Sequence, residues 1–448
     1  MKRWIWLGIG LVASLTVRAQ TSFSLEEAIR YALTHNAQMQ KAQLDIRKAR
    51  KKVWETTAVG LPQLHLDANY KQFIKQPEQL IPARIFNPQA PADAYVPVKF
   101  GTEQDMRWQG RITQLIFNGS YIVGLQSART YKAISELAAE KTAQKVTEAV
   151  TAAYMQALLA ETHYDILTKD LHVVEKNYQH TLKLYREGFA DRSAVDQIKL
   201  TLTELKTQQN YAWQMARTAR QMLNWVMGRA PDDTLGLTDH LEGLWAQADD
   251  SAVSDSDFHV QQHIDYRIAQ QQLKARKLLW KNEKARALPV ISAFASYGKY
   301  AYSNDFDFFD NADIWREQSL VGVQIQIPLF TSWGRQSRID QARMEYQQAL
   351  FDLWDAEHRL NAEYSRLLNE YRYARRNVIL RKEALELAGR IAGRDGVKYR
   401  EGVLSPFQLH QSWLQLFSAQ QQYLQSIADF MNKKIALMNF LGKNIVTP

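Results

Sequence analysis

Hydrophobic and polar residues alternate in three short segments of the chain. Residues 64–70, 106–113 and 321–327 place mostly apolar side chains at every second position and mostly polar ones between them. A period of two predicts a strand with one apolar and one polar face. Residues 290–298 alternate less regularly, and we predict a fourth strand there, the partner of segment 321–327. The positions predicted to face lipid are Leu64, Leu66, Trp108, Ile112, Val321, Val323 and Ile325.

A second pattern predicts very long helices. Residues 125–187 contain neither glycine nor proline, and their apolar seam from Tyr164 to Tyr185 alternates spacings of three and four. Residues from Tyr346 to Ala374 recur every seven positions. Both spacings are typical of a coiled coil. A helix over about 120–186 would be roughly 100 Å long, which suits a wall or spacer better than a compact core.

The chain is predicted to contain two copies of one unit. Leu61 and Pro62 recur in the second half as Leu288 and Pro289. The Tyr-Arg-Glu-Gly segment that ends at Gly188 recurs with its last residue at Gly402. Each copy is predicted to run helix, strand, strand, long helix, turn, helix. The first repeat is residues 20–229, an acidic, Asp/Ser-rich linker is 230–256, the second repeat is 257–443, and a short tail is 444–448.

Each long helix is predicted to end at a glycine and to form a helical hairpin. Gly188 and Gly402 follow the two helices at the place where a left-handed residue commonly ends a helix. The following helix would return along the first, so that the two turns form the hairpin tips farthest from the strands.

The first residues predict export from the cytoplasm. Residues 1–19 combine a basic start, an apolar stretch and small residues before a cleavage point after Ala19, which is typical of a signal peptide. The chain contains no cysteine, so packing alone must stabilise it. The formal net charge is +9 at pH 7, but nucleic-acid binding is not expected of an exported protein.

Four strands are too few to close a membrane barrel, since the smallest needs about eight. Several chains must therefore contribute if the strands lie in a membrane. A soluble sandwich strand would look the same locally. A periplasmic coiled-coil adaptor or scaffold without a membrane barrel is the alternative reading of the long helices.

In these features the chain resembles the TolC family of outer-membrane efflux proteins. The resemblance rests on the N-terminal segment from Phe23 to Ala28 with Asn36, on Leu61 and Pro62, on Ile327 to Phe330 before a long helix, and on both Tyr-x-x-Gly turns. It implies a mainly helical protein with membrane strands: a trimer with a twelve-stranded β-barrel, four strands per chain, above a coiled-coil helical tunnel (an α-barrel). It also implies an outer-membrane location, a periplasmic adaptor (membrane fusion protein) and an inner-membrane RND or ABC transporter.

The resemblance also implies roles for the hairpin tips. Adaptor docking is expected at Tyr185, Gly188, Phe189, Tyr399, Gly402 and Val403. The family often has an acidic residue six positions after the turn glycine, where this chain has Ala194 and Gln408. The candidate gate residues are therefore Asp191, Asp196, Gly389, Gly393, Gly396, Gln408 and Gln411. The three glycines predict either a compliant gate hairpin or a helix that frays before its turn.

Other constellations favour structural roles over chemistry. His259 and His263 are four residues apart, but no zinc-protease motif accompanies them. The aspartates of segment 305–313 lack the glycine and glutamate of a calcium loop and are expected in an extracellular loop, as is the proline-rich, irregular segment 74–105. Basic clusters at 47–52 and 274–284 are solvated helix faces, headgroup contacts or a basic belt in the lumen. No enzyme motif is present, and no cofactor or metal is expected.

Overall fold

The computed structural model describes residues 21–241, 243–244 and 258–442. The predicted signal peptide, much of the linker (242 and 245–257) and the tail 444–448 lie outside the described residues. Seven helices and eight strands follow one another in this described part. The helices are α1 (Leu25–His35), α2 (Ala37–Ala58), α3 (Gly119–Arg186), α4 (Arg192–Met227), α5 (Ile264–Ala285), α6 (Gly334–Arg400) and α7 (Pro406–Phe440). The strands are β1 (Thr21–Phe23), β2 (Gln63–Gln72), β3 (Glu78–Pro82), β4 (Tyr95–Lys99), β5 (Gln104–Asn118), β6 (Leu235–Leu237), β7 (Val290–Ser303) and β8 (Trp315–Gln326).

The chain forms two compact units. The strand unit consists of residues 45–136 and 268–354, and the helical unit consists of the described parts of residues 1–44, 137–267 and 355–448. These units cut across the two predicted repeats, because each repeat contributes strands to one unit and helices to the other.

The strand unit contains a four-stranded antiparallel sheet in the order β2-β5-β7-β8. All four predicted strands are present, and the long helices begin within one residue of position 120 in the first repeat and at Gly334 in the second. The sheet is close-packed at Gly298, where an added Cβ would lie 2.4 Å from the carbonyl oxygen of Trp108. Segment 74–105 is not wholly irregular, as predicted, because β3 and β4 pair as a hairpin within it.

The helical unit has a core shared by helices from both repeats. Leu25, Tyr154, Leu223, Tyr371 and Phe430 belong to one cluster of buried residues, although they come from five different helices. A short parallel pair, β1 with β6, borders this cluster. Asp239 holds this region together, because its carboxylate accepts hydrogen bonds from the Tyr154 hydroxyl at 2.8 Å and the Leu25 amide at 2.8 Å.

The first predicted helix is broken in two at Asn36. Ser24 begins α1 with the predicted capping box, in which the Glu27 amide donates to the Ser24 hydroxyl. Asn36 ends α1 and starts α2, because its side-chain oxygen accepts from the Gln38 amide at 2.8 Å. Its Nδ2 donates to the Val226 carbonyl at 2.7 Å. The sequence prediction of one continuous helix is therefore wrong, and a contact with a residue far along the chain is the reason.

Gly228 allows this close approach. It has φ +87°, and a Cβ there would lie 2.6 Å from the carbonyl oxygen of His35. Its counterpart in the second repeat, Gly442, also has a positive φ, but a Cβ would meet only the Gln144 side chain, at 3.6 Å. Within the described residues, no helix has the length and apolarity needed to cross a membrane.

Candidate hairpin tips and membrane-facing surface

The first hairpin tip, residues 187–191, is a tight turn between α3 and α4. Gly188 has φ +81°, its amide donates to the Tyr185 carbonyl at 3.1 Å, and the Phe189 amide donates to the Leu184 carbonyl at 2.8 Å. This pair of hydrogen bonds is a Schellman motif, which uses the left-handed glycine to satisfy the last carbonyls of the helix. Phe189 is 80% exposed at the turn.

The second hairpin tip, residues 401–405, repeats this geometry between α6 and α7. Gly402 has φ +76°, its amide donates to the Tyr399 carbonyl at 3.1 Å, and the Val403 amide donates to the Lys398 carbonyl at 2.9 Å. The predicted positive φ at both glycines is thus present. Val403 and Phe407 are exposed beside the turn.

The two tyrosines of the repeated Tyr-x-x-Gly turn occupy different environments. Tyr185 is partly exposed, whereas Tyr399 is buried and its hydroxyl lies 2.6 Å from the hydroxyl oxygen of Thr181 in α3. Tyr399 therefore joins the two hairpins and does not offer its side chain on the tip surface, which corrects its predicted place among the docking residues. Sequence reasoning missed Thr181 as its partner, because the two residues lie in different repeats.

The candidate gate carboxylates have local partners. Asp191 caps α4, because its side chain accepts from the Ala194 amide at 2.7 Å. Asp196 forms an exposed ion pair with Arg192 at 3.2 Å. In a single chain the two acids therefore serve the start of α4, and their role in a gate stays a prediction.

The corresponding residues of the second repeat are polar and uncharged. Gln408 completes a capping box with Ser405 at the start of α7, and Gln411 is exposed one turn further on. The predicted glycines, Gly389, Gly393 and Gly396, lie within α6, and a Cβ at any of them would meet nothing within 4 Å. Because α6 continues to Arg400, the alternative of a fraying helix is wrong.

Polar groups link neighbouring helices above the tips. Thr201 in α4 contacts the His410 ring at 2.8 Å, and Gln420 in α7 donates to Asp170 in α3 at 3.4 Å. The other carboxylate oxygen of Asp170 is buried without a hydrogen-bond partner. Burial raises the pKa of Asp170 from 3.8 to about 6, against the lowering effect of the Gln420 hydrogen bond. Sequence reasoning missed Asp170, since nothing in its local sequence marks its burial.

The seven predicted lipid-facing residues lie on one face of the sheet, here called the apolar face. The register aligns Leu64, Ile112, Ala295 and Val321 in one row across all four strands. Leu64, Leu66, Val321, Val323 and Ile325 are each at least 60% exposed. Five large aliphatic side chains on a regular sheet face are more than a solvated surface normally carries.

The opposite face, here called the polar face, has a different chemistry. Gln63, His65 and Asp67 on β2 align with Thr113, Arg111 and Gln109 on β5. The Arg111 guanidinium lies 4.4 Å from the centre of the Phe294 ring, which is a cation–π contact. A sheet with these two faces can separate an apolar from an aqueous environment.

His263, one of the two candidate metal ligands, has a structural role. Its Nδ1 accepts from the Asp265 amide at 3.1 Å at the start of α5, as Asn36 accepts from Gln38 at the start of α2. The offset that relates Leu61 to Leu288 also relates Asn36 to His263, so the repeat was a signal for this role. Burial lowers the pKa of His263, which favours the neutral ring that accepts this bond. No cluster of three potential metal-ligating residues occurs in the part of the chain that the structure describes.

The remaining exposed features lie in the strand unit. The basic clusters of α2 and α5 are largely exposed, with single ion pairs such as Arg276 with Glu345 at 2.8 Å. In the loop after β7, Phe308 is buried and Phe309 is 77% exposed. Neither feature decides among the alternatives that the sequence left open.

Comparison with solved structures identifies the fold. The outer membrane protein VceC of Vibrio cholerae superposes with a TM-score of 0.70 at 16% identity, over 94% of this chain and 96% of that one. The outer membrane channel CmeC of Campylobacter jejuni gives 0.72 at 14% identity, over 93% and 85% of the two chains. The outer membrane channel MtrE of Neisseria gonorrhoeae gives 0.69 at 15% identity, over 94% and 89%. The chain thus has the fold of the outer-membrane channels.

The sequence comparison names the family. Residues 260–443 match the family model for outer membrane efflux proteins, which confirms the resemblance seen in the sequence. The matched residues, which are the second repeat, belong to this family. No curated protein gives a significant match to the chain.

Proposed function

We propose that the chain is a passive outer-membrane exit duct of a tripartite efflux or type I secretion system, placed in the outer membrane and extending into the periplasm. The observation that carries the proposal is the sheet with one apolar and one polar face. The family match over residues 260–443 and the shared fold with outer-membrane channels support it.

The duct is a homotrimer. The sheet has four strands, and its outer strands β2 and β8 each have a strand partner on one side only within the described residues. An exposed strand edge tends to pair with another chain. Three chains joined edge to edge give a closed barrel of twelve strands, which removes the edges and exceeds the minimum of about eight strands. The apolar face then meets lipid and the polar face lines water.

The two tips are the docking points for a periplasmic adaptor (membrane fusion protein), which couples the duct to an inner-membrane RND or ABC transporter. Phe189, Val403 and Phe407 provide exposed apolar side chains next to rigid Schellman turns. Apolar and aromatic anchors on a rigid frame are what a protein partner binds best. The candidate gate residues Asp191, Asp196, Gln408 and Gln411 follow these turns, and the stripe Gly389, Gly393 and Gly396 precedes the second one.

The duct has no catalytic centre and uses no cofactor, and the transporter supplies the energy for export. The second candidate, a periplasmic coiled-coil adaptor or scaffold, accounts for the long helices but leaves the apolar face without a partner. A coiled-coil spacer has no use for a sheet with large exposed aliphatic side chains.

Cell fractionation and planar-bilayer recordings test the proposal. The full chain should remain with outer membranes after osmotic shock and should purify in detergent as a ring-shaped trimer. The trimer should conduct poorly at rest, and variants that loosen the tips should conduct more. A chain released as a monomer by osmotic shock would refute the duct and favour the adaptor.

A further inference from the structure

We propose that the apolar face carries a binding site for one outer-leaflet lipid of the lipid A class, with its phosphate at Lys299 and an acyl chain in a groove beside Trp108. The proposal rests on the proposed function, since the apolar face meets lipid only if the strands cross the outer membrane. It goes beyond that function because a barrel wall needs no preferred lipid.

The groove is a depression of about 510 Å³ in the middle of the apolar face. Small residues form its floor, namely Gly110, Ala295 and Ser319, and the larger Trp108 and Tyr297 stand at one end. The indole of Trp108 and the ring of Tyr297 pack edge to face with centres 5.8 Å apart, which fixes that wall. A row of small side chains between large ones leaves room for a flexible hydrocarbon chain along the strands.

An ion pair follows the groove on the same face. Lys299 lies two residues after Tyr297 on β7, opposite Trp108 on β5 and Glu317 on β8. Its Nζ is 2.8 Å from a carboxylate oxygen of Glu317. Two residues along a strand span about 6.7 Å, so the ion pair is one row beyond the aromatic wall.

Lys299 retains donors for a second acceptor. A lysine ammonium has three N–H groups, and Glu317 accepts one of them. The remaining two can bind a phosphate oxygen, and such charge-assisted hydrogen bonds are stronger than neutral ones. Glu317 orients the ammonium toward the end of the groove, where the headgroup of a lipid in the groove would lie.

The position of the pair along the strands selects the leaflet. Lys299 is four residues from the end of β7 at Ser303, and Glu317 is two residues after the start of β8 at Trp315. This is the end of the sheet that carries the long loop with the β3–β4 hairpin, which the proposed function places outside the cell. Trp108 and Tyr297 beside the pair suit the headgroup level, where amphipathic rings are enriched. The outer leaflet there consists of acylated, phosphorylated glucosamine lipid, which matches a cation above an apolar groove.

Native mass spectrometry of the detergent-solubilised trimer with added lipid A tests the site. Lys299→Gln should weaken lipid A binding about tenfold or more, the usual effect of losing a charged hydrogen bond. Gly110→Leu fills the groove without a backbone clash, since a Cβ there has only the Tyr297 carbonyl, at 3.8 Å, as a neighbour. It should lower the retention of lipid A while adding an apolar side chain that the membrane tolerates. Lys71→Gln is the matched control, because it removes the same charge from the polar face of β2 and should leave binding unchanged.

Three results would overturn the inference: equal lipid A retention by wild type and Lys299→Gln, an equal loss with Lys71→Gln, or equal retention of a phosphatidylcholine probe by the wild type. Lys299→Arg keeps a cation and should bind lipid A nearly as well as wild type, so it guards against a general loss of structure. All variants should still form trimers that insert into planar bilayers. Insertion without lipid selectivity would refute this site and leave the duct intact, whereas a wild type that fails to insert would refute the duct itself.

Discussion

Replacing Val323 by lysine tests the membrane-facing surface most directly. Val323 is 65% exposed on the apolar face, and the neighbouring Gln324 points to the polar face. From Glu317 to Val323 the strand advances six residues, about 20 Å. At a tilt of about 40° this is roughly 15 Å along the membrane normal, half the thickness of a hydrocarbon core of about 30 Å. Val323 would therefore lie near the middle of the bilayer.

The expected cost follows from that depth. A lysine on the lipid face at the midplane of a membrane barrel costs about 2–4 kcal/mol, and three copies in a trimer cost about 6–12 kcal/mol. Val323→Lys should therefore abolish or strongly reduce the assembled trimer. Gln324→Lys adds the same charge one residue away, but it faces water in the lumen and should change trimer yield little.

The assay is the yield of SDS-resistant trimer in outer-membrane fractions, with total chain measured after denaturation. The surface exposure of a single chain predicts no difference between the two variants, since Val323 and Gln324 are both exposed. Only a lipid environment on one face separates them. Equal trimer yields, or a greater loss with Gln324→Lys, would refute the assignment of the apolar face.

Three further variants test the helical unit by urea unfolding. Gly228→Ala should destabilise by about 3 kcal/mol, since it combines the strain of a left-handed alanine with a backbone clash, whereas Gly442→Ala, with the strain alone, should cost about 1–2 kcal/mol; equal costs would contradict the close approach at Gly228. Asp170→Asn should stabilise by about 1–2 kcal/mol at pH 7.5 after allowance for solvent screening, and should abolish the gain in stability that the wild type shows as pH falls from about 7 to 4. The folded state binds the extra proton in that window because the pKa of Asp170 is raised, so a wild type without this pH dependence would contradict its burial. Tyr399→Phe should cost about 1 kcal/mol, because the Thr181 hydroxyl keeps its hydrogen bond to the Asn177 carbonyl, and an unchanged unfolding midpoint would contradict the link between hairpins.

The chain's own pattern sufficed for the elements and for their two-fold repetition. The strands follow from alternation between neighbouring residues, and the long helices follow from spacings of three and four in segments without glycine or proline. The capping box at Ser24 and the left-handed Gly188 and Gly402 are equally local. Each depends on residues within a few positions of one another, so the sequence contains everything needed to predict it.

The tertiary structure decided the features that join distant parts of the chain. The break at Asn36 depends on the Val226 carbonyl, and the burial of Tyr399 depends on Thr181. The groove beside Trp108 exists only because the register brings small residues of β5, β7 and β8 together. No local period encodes such meetings, because the separation along the sequence that a contact spans is set by how the elements pack and not by the residues next to it.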